Sequence, residues 1–383
     1  MHCTKNNQSA NNTSNHSCDN GVGKRTSRRG FLRASTTMAG LAAAGGFIGT
    51  DEATARAADA GGKKSTARRR SVRPKRDFSG GCPADIRARL SGPWPSIRTP
   101  FKKDGEIDYG ALRAQLDFAV EAKAKAVVLT WGDSLFSILT DDEIAAVTKV
   151  VVEHINGRAY VVAATDRWWT GRAAEFSAYC AELGADMVMG LPPDWAASTT
   201  VDTLVDYYAA LAEHLPVMMV TNYLGRRPAA LSLELCDRLM KEVPGVVAVK
   251  DDLCNDTACK MCMKTHDRWV FSAGGQKKNH MLLMPYGVDG YLSTFMTFNP
   301  KISWRYWDAI KANDMHMAMA VVREFDMPFF DHIIGYEGSF DAAIHGIDEI
   351  LGRGQRWRRM PYHSLTDKQL AELKDFLQKH KMI

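Results

Sequence analysis

The chain has 383 residues, 45% hydrophobic and 24% charged, with a formal net charge of +5, enough for one large domain with extensions or two modest ones. No apolar run approaches the roughly 18 residues that span a bilayer. The positive charge is local: residues 1–57 hold 7 Lys+Arg against 3 Asp+Glu, and the remainder carries 42 against 41, so the bulk of the chain offers no electrostatic case for a nucleic-acid partner.

The first 80 or so residues are rich in Asn, Ser, Thr, Gly, Ala and Arg, with little to bury, a composition that predicts disorder. They contain TSRRGFLR (26–33), a mildly apolar Ala/Gly stretch from Met38 to Gly49, and the small-x-small triplet Ala55 to Ala57. This resembles a twin-arginine export signal. Ser27, Arg28, Arg29, Phe31 and Leu32 fit the pattern, and Arg33 stands where lysine is commoner. The basic flank, short core and small residues agree in physical form. The resemblance implies passage through the twin-arginine translocation machinery, removal of residues 1–57, and a periplasmic or secreted protein with no membrane partner afterwards. The alternative, a disordered arm that binds nucleic acid, lacks interleaved aromatics. Residues 58–88 follow as a disordered basic linker, with Lys63 to Arg76 a solvated tether.

From residue 89, short apolar runs alternate with helical patterns. The runs are 95–101, 126–132, 160–165, 186–191, 216–223, 246–251, 269–274 and 289–294. They are Val-, Ala- or Met-rich rather than alternating, as parallel strands covered on both faces should be. The amphipathic segments between them include TDDEIAAVTKVVVEHING, with Thr140 and Glu143 in capping-box spacing and Gly157 as a stop. Eight such units predict a (β/α)8 TIM barrel over 89–300, with C-terminal helices over 301–383 packed on it. An open doubly wound sheet is the runner-up, but no Gly-rich dinucleotide loop follows the first strand.

Cys254, Cys259 and Cys262 form C-x4-C-x2-C, with His266 four residues on. The spacing is similar to iron–sulfur or zinc ligation. No cysteine follows Cys262, however, and the segment reads as one helix capped by Asn255 or Asp256. The expectation is structural cysteines, with no metal and no cofactor. Met315, Met317 and Met319 read as helix packing.

In such a barrel the C-terminal strand ends carry the site. Only one of them bears a lysine, Lys250, at the end of GVVAVKDD (245–252). Burial among apolar neighbours would lower its pKa and free a nucleophilic amine, able to form a Schiff base with a carbonyl. The alternative is a lysine paired with Asp251 or Asp252. Four tryptophans, Trp131, Trp168, Trp169 and Trp195, fall at or beyond strand ends and could wall a flat substrate, or pack on the rim.

From about Gly92 onwards the chain resembles the dihydrodipicolinate synthase / N-acetylneuraminate lyase family of class I aldolases. The resemblance rests on GPWPSIRTPFKKDGEIDYGAL (92–112), LTWGDSLFSILTDDE (129–143), LGADMVMGLPPDW (183–195), LPVMMVTNYLGRR (215–227) and VPGVVAVKDD (243–252), all in family order. It implies that Lys250 forms the iminium with pyruvate or a pyruvate-derived α-keto acid. Thr130 and the backbone at Trp131 would hold the keto-acid carboxylate. Gly132 fits the pattern, Asp133 replaces a glutamate, and Asn222 and Arg226 match. The chain departs from the family at two relay tyrosines, where Thr221 and Trp195 stand; Trp195 is similar to a hydratase-aldolase branch acting on aromatic adducts. A threonine hydroxyl cannot carry a proton near neutral pH. Tyr223 is the expected acid/base, with Asp133 or Asp194 in reserve, and Arg226 would take an acidic part of the partner substrate. A homo-oligomer, dimer or tetramer, is implied by resemblance alone. The competing expectation is a barrel that has lost catalysis and binds a periplasmic ligand.

Overall fold

A computed structural model describes residues 76–383. The segment that resembles an export signal and most of the expected basic linker lie outside these residues. The linker ends sooner than residue 88. Ala84–Leu90 is a helix, α1, that buries Ile86 and Leu90, and Arg87 reaches from it to Asp289 at 2.6 Å. Two apolar side chains at i, i+4 spacing give this short helix a face to bury.

Eight parallel strands follow: β1 Gly92–Trp94, β2 Ala126–Val128, β3 Tyr160–Ala164, β4 Met187–Gly190, β5 Val217–Val220, β6 Val246–Asp251, β7 Val270–Ala273 and β8 Gly290–Leu292. They pair in the order β1-β8-β7-β6-β5-β4-β3-β2. A parallel bridge from Ser96 to Val128 closes the ring between β1 and β2. This is a (β/α)8 barrel with a C-terminal helical extension. Nearly every strand residue is buried, which explains the continuous apolar runs.

The first strand departs from the expectation. The run 95–101 contributes only isolated bridges, and the strand proper is three residues upstream. Pro95 and Pro100 have no N–H to give to a ladder.

Between the strands lie α2 Tyr109–Glu121, α3 Asp141–Ile155, α4 Thr170–Leu183, α5 Val201–Ala212, α6 Ala229–Glu242, α7 Asp256–Thr265 and α8 Lys277–Leu283. The Thr140/Glu143 capping box forms, and α3 stops at a left-handed Asn156 ahead of Gly157. The helix α9, Pro300–Lys311, completes the barrel: Ser303 accepts from Tyr291 on β8, and Trp304 Nε1 donates to the Ala122 carbonyl. A boundary at residue 300 therefore cuts one helix off the barrel. Beyond it come α10 Met315–Val321, a π-turn Val322–Asp326, α11 Met327–Ile334, α12 Ser339–Ile350 and α13 Asp367–Lys379. The π-turn precedes Pro328, whose missing N–H interrupts the regular ladder.

Among the described residues no helix is long and apolar enough to cross a membrane, and no three His, Cys, Asp or Glu are grouped to hold a metal ion. Cys259 and Cys262 lie buried on α7, whose N-cap is Asn255, accepting from the Ala258 N–H; Cys254 sits apart in the preceding loop.

Candidate active site

The C-terminal strand ends enclose a cavity of about 410 Å³. Its walls are Thr130 to Asp133 after β2, Ala164 and Thr165 at β3, Met189 and Leu191 at β4, Val220 and Asn222 at β5, Lys250 and Asp252 at β6, Gly274 to Gln276 after β7, and Leu292 and Thr294 at β8. Lys250 is the one cationic side chain on this wall among the described residues. Strand register brings it level with Val220 on one side and Ser272 on the other. Phe330, Ile334 and Phe340 of the C-terminal extension line the mouth.

Side chains alternate along a strand, so Lys250 and Asp252 share the inner face while Asp251 points outward. Lys250 Nζ donates to Asp252 Oδ1 at 2.5 Å. Asp251 is fully buried behind the strand, where it accepts from Thr221 Oγ1 at 2.8 Å and from the N–H groups of Leu253 and Cys254. Burial raises the Asp251 pKa against those hydrogen bonds.

The expected fall in the Lys250 pKa is not what its surroundings produce. Burial does pull it down. The Asp252 charge and hydrogen bond, with Asp133 and Asp251 further off, outweigh burial and raise it above its ordinary value. At rest Lys250 is an ammonium in an ion pair.

The loop after β2 is braced from within. Thr130 Oγ1 accepts from the Asp133 N–H at 3.0 Å, and Ser134 Oγ bridges the Thr130 N–H to the Ile97 carbonyl. The N–H groups of Trp131 and Gly132 find no acceptor among the described residues. Two residues that line the cavity, Trp131 on this loop and Gln276 after β7, also have a buried side-chain atom, Nε1 and Oε1, without a partner among the described residues. Orphaned groups lining a cavity are the usual mark of a site that a polar ligand fills.

The other nominated residues divide. Asn222 lines the cavity, whereas Tyr223, Arg226, Asp194 and Trp195 line an adjoining cleft, which shares Trp131, Leu191 and Asn222 with it. β5 ends at Val220 and the chain turns into a 3-10 helix, Asn222–Arg226, so strand alternation does not carry Tyr223 to the Lys250 side. The Tyr223 hydroxyl pairs with Tyr208 at 3.1 Å, and burial pushes its pKa up. Thr221 is fully buried and committed to Asp251, and Asp194 is held by Arg227 at 3.0 Å. Of the four tryptophans, Trp131 borders both spaces and Trp195 the cleft; Arg167 stacks over Trp131 at 4.1 Å. Trp168 is tied to Asp141 at 3.0 Å and Trp169 is exposed, so neither lines the cavity or the cleft.

Sequence reasoning missed Gln276 and Asn279, a few residues past the end of β7, and the roof of Phe330, Ile334 and Phe340 from the extension. Only the folding of the extension back over the strand ends reveals the roof.

A sequence profile of the Dihydrodipicolinate synthetase family matches residues 89–380. The chain belongs to that family. Among its relatives are a probable 5-dehydro-4-deoxyglucarate dehydratase of Bradyrhizobium diazoefficiens, 26% identical over 285 residues, covering 73% of this chain and 89% of the relative, and a 4-hydroxy-tetrahydrodipicolinate synthase of Dechloromonas aromatica, 28% identical over 235 residues, covering 61% and 79%. The fold is similar to that of dihydrodipicolinate synthase from Oceanobacillus iheyensis, with TM-score 0.69 and 22% identity over 80% of this chain and 100% of that one. It is also similar to the E. coli K12 prophage protein YagE in complex with pyruvate, with TM-score 0.67 and 21% identity over 76% and 99%. The two named relatives are thus a dehydratase and a synthase by name.

Proposed function

We propose that the protein is a Schiff-base lyase or aldolase whose Lys250 forms an iminium with pyruvate or a pyruvate-derived α-keto acid. The observation that carries the reading is Lys250 itself, among the described residues the one cationic side chain in a cavity whose opposite wall includes Trp131 and Gly132, with N–H groups that meet no acceptor among those residues. Free backbone N–H groups suit a carboxylate. An amine facing the neighbouring carbonyl makes an imine. The iminium is an electron sink, so a proton or a carbon fragment can leave the adjacent carbon. An adjacent hydroxyl can then depart, which is how the dehydratase names among the relatives bear on this chain.

The adjoining cleft favours a substrate longer than pyruvate. Arg167 and Arg226 border it and are both exposed, so an acidic tail would be met by cations. A second reading, a barrel that binds such an acid without turnover, is favoured by Thr221, which is sequestered behind the strand. Incubation with pyruvate and borohydride separates the two. The lyase reading expects a mass added to the wild type and none to Lys250→Ala. No added mass, or the same mass on both, overturns it.

On the twin-arginine resemblance we further propose that the enzyme works in the periplasm or outside the cell, and on the family resemblance that it is a homo-oligomer. Export would remove it from cytoplasmic lysine biosynthesis. Replacing Arg28 and Arg29 by lysine should trap the protein in the cytoplasm, and unchanged export would refute the signal.

A further inference from the structure

Imine formation needs a proton carrier beside the amine. The lysine must lose a proton to attack, and the carbinolamine must gain one to shed water. Of the residues expected to carry protons, Tyr223 and Asp194 do not meet Lys250: Tyr223 is paired with Tyr208 and Asp194 with Arg227. Asp133 shares the cavity but makes no hydrogen bond to Nζ among the described residues.

Asp252 does. Its Oδ1 is 2.5 Å from Nζ, it lines the same cavity, and its side chain keeps 27% exposure. Its seat is built. Its N–H donates to the buried Thr221 Oγ1 at 2.9 Å. Gly274 stands opposite, where an added Cβ would come within 2.6 Å of both Asp252 Oδ1 and the Asp251 carbonyl. Only a residue without a side chain leaves room for the carboxylate.

We propose that Asp252 is the catalytic acid–base group of the Lys250 site. The inference rests on the Schiff-base reading of Lys250. The steps balance as follows. Asp252 takes one proton from the Lys250 ammonium. The freed amine attacks the keto carbon, and one of the two protons on nitrogen passes to the new alkoxide, giving a neutral carbinolamine that keeps one N–H. The protonated Asp252 then gives its proton to the carbinolamine hydroxyl. Water leaves, the iminium forms, and Asp252 is again a carboxylate. Net, an ammonium and a ketone become an iminium and one water. The resting ion pair keeps the proton on lysine until a carbonyl occupies the cavity. The charged or titratable groups that share the cavity with Nζ are Asp252, Asp133 and, on the adjoining loop, Cys254; Asp251 adds its charge from behind the strand.

The test measures the rate of mass addition with pyruvate and cyanoborohydride in the full-length protein, across pH, for wild type, Asp252→Ala and the isosteric Asp252→Asn. We expect both variants to fold and to trap at least 100-fold more slowly, the range of a lost general acid–base. Added acetate or formate should restore rate to Asp252→Ala, with a dependence on the concentration of the protonated acid. A merely structural role would give no such rescue. Equal or faster trapping in Asp252→Ala overturns the role of Asp252 while leaving Lys250 in place. Slow trapping without rescue in Asp252→Ala, with Asp252→Asn at wild-type rate, also overturns it. A wild type that never traps overturns the Lys250 reading itself, which Lys250→Ala would then match.

Discussion

Arg98 and Asp348 stand 250 residues apart in the chain and meet in a buried two-pronged ion pair, Nη2 to Oδ1 at 3.1 Å and Nε to Oδ2 at 3.2 Å. Arg98 lies just beyond β1 and Asp348 on α12, so the pair ties the helical extension to the barrel mouth. Both side chains are under 5% exposed. A pair of this kind contributes little net stability against apolar replacements, but leaving one charge alone in the interior is costly. Arg353 lies 3.8 Å from the same carboxylate. Asp348→Ala would strand two cations, and should cost about 3–5 kcal/mol in chemical denaturation. The double replacement Arg98→Met with Asp348→Leu should recover most of that. If Asp348→Ala unfolds at the wild-type midpoint, the extension is not held this way.

Acid should weaken the fold through His280. It is 1% exposed, its Nδ1 pairs with the Tyr306 hydroxyl at 2.9 Å, and burial lowers its pKa from 6.5 to about 4. The unfolded chain thus binds a proton that the folded one refuses between these values. The contribution to stability is complete above pH 6.5 and is lost as the pH falls to about 4. The loss attached to this one group is roughly 3 kcal/mol. His280→Gln should flatten the dependence of unfolding free energy on pH in that window. His345, buried and depressed in the same direction by burial, Arg98 and Arg358, will keep part of the acid sensitivity. An unchanged slope in His280→Gln would refute the assignment.

The barrel was legible because parallel strands covered on both faces read as unbroken apolar runs, and Lys250 stood out as a charge at the end of one. Side-chain alternation beyond it picks Asp252 over Asp251 as the lysine's partner. The raised pKa of Lys250 was not legible, because burial and ion pairing push in opposite directions and only distances decide between them. Tyr223 misled for a related reason: β5 stops at Val220 and a 3-10 turn redirects everything after it. The roof of Phe330, Ile334 and Phe340 depends on how the extension folds back over the strand ends, which no local pattern encodes.

The two hydroxyls that follow β5 should respond differently. Tyr223→Phe removes a hydrogen bond to Tyr208 that faces away from Lys250. It should cost about 1 kcal/mol of stability and leave pyruvate trapping unchanged. Thr221→Val deletes the bridge between Asp251 and the Asp252 N–H. It should cost about 1–3 kcal/mol and also slow trapping, because the Asp252 backbone loses its anchor. Slowed trapping in Tyr223→Phe would restore the tyrosine as a relay.

Gly274→Ala tests the seat of Asp252 from the opposite side. The Asp251 carbonyl accepts from the Gly274 N–H at 2.6 Å, so this backbone contact has no slack. An added Cβ, 2.6 Å from that carbonyl and from Asp252 Oδ1, must push on both. The carboxylate is the part free to rotate, and it should swing off Lys250. The expected cost in stability is about 1–3 kcal/mol, typical of crowding a packed site. Trapping should slow as in Asp252→Ala. The decisive comparison is the double variant. If Gly274 acts through Asp252, Gly274→Ala added to Asp252→Ala should slow trapping no further, since groups that act as a unit are not additive. Independent, multiplying losses would mean that Gly274 serves the cavity by some route other than the lysine's partner.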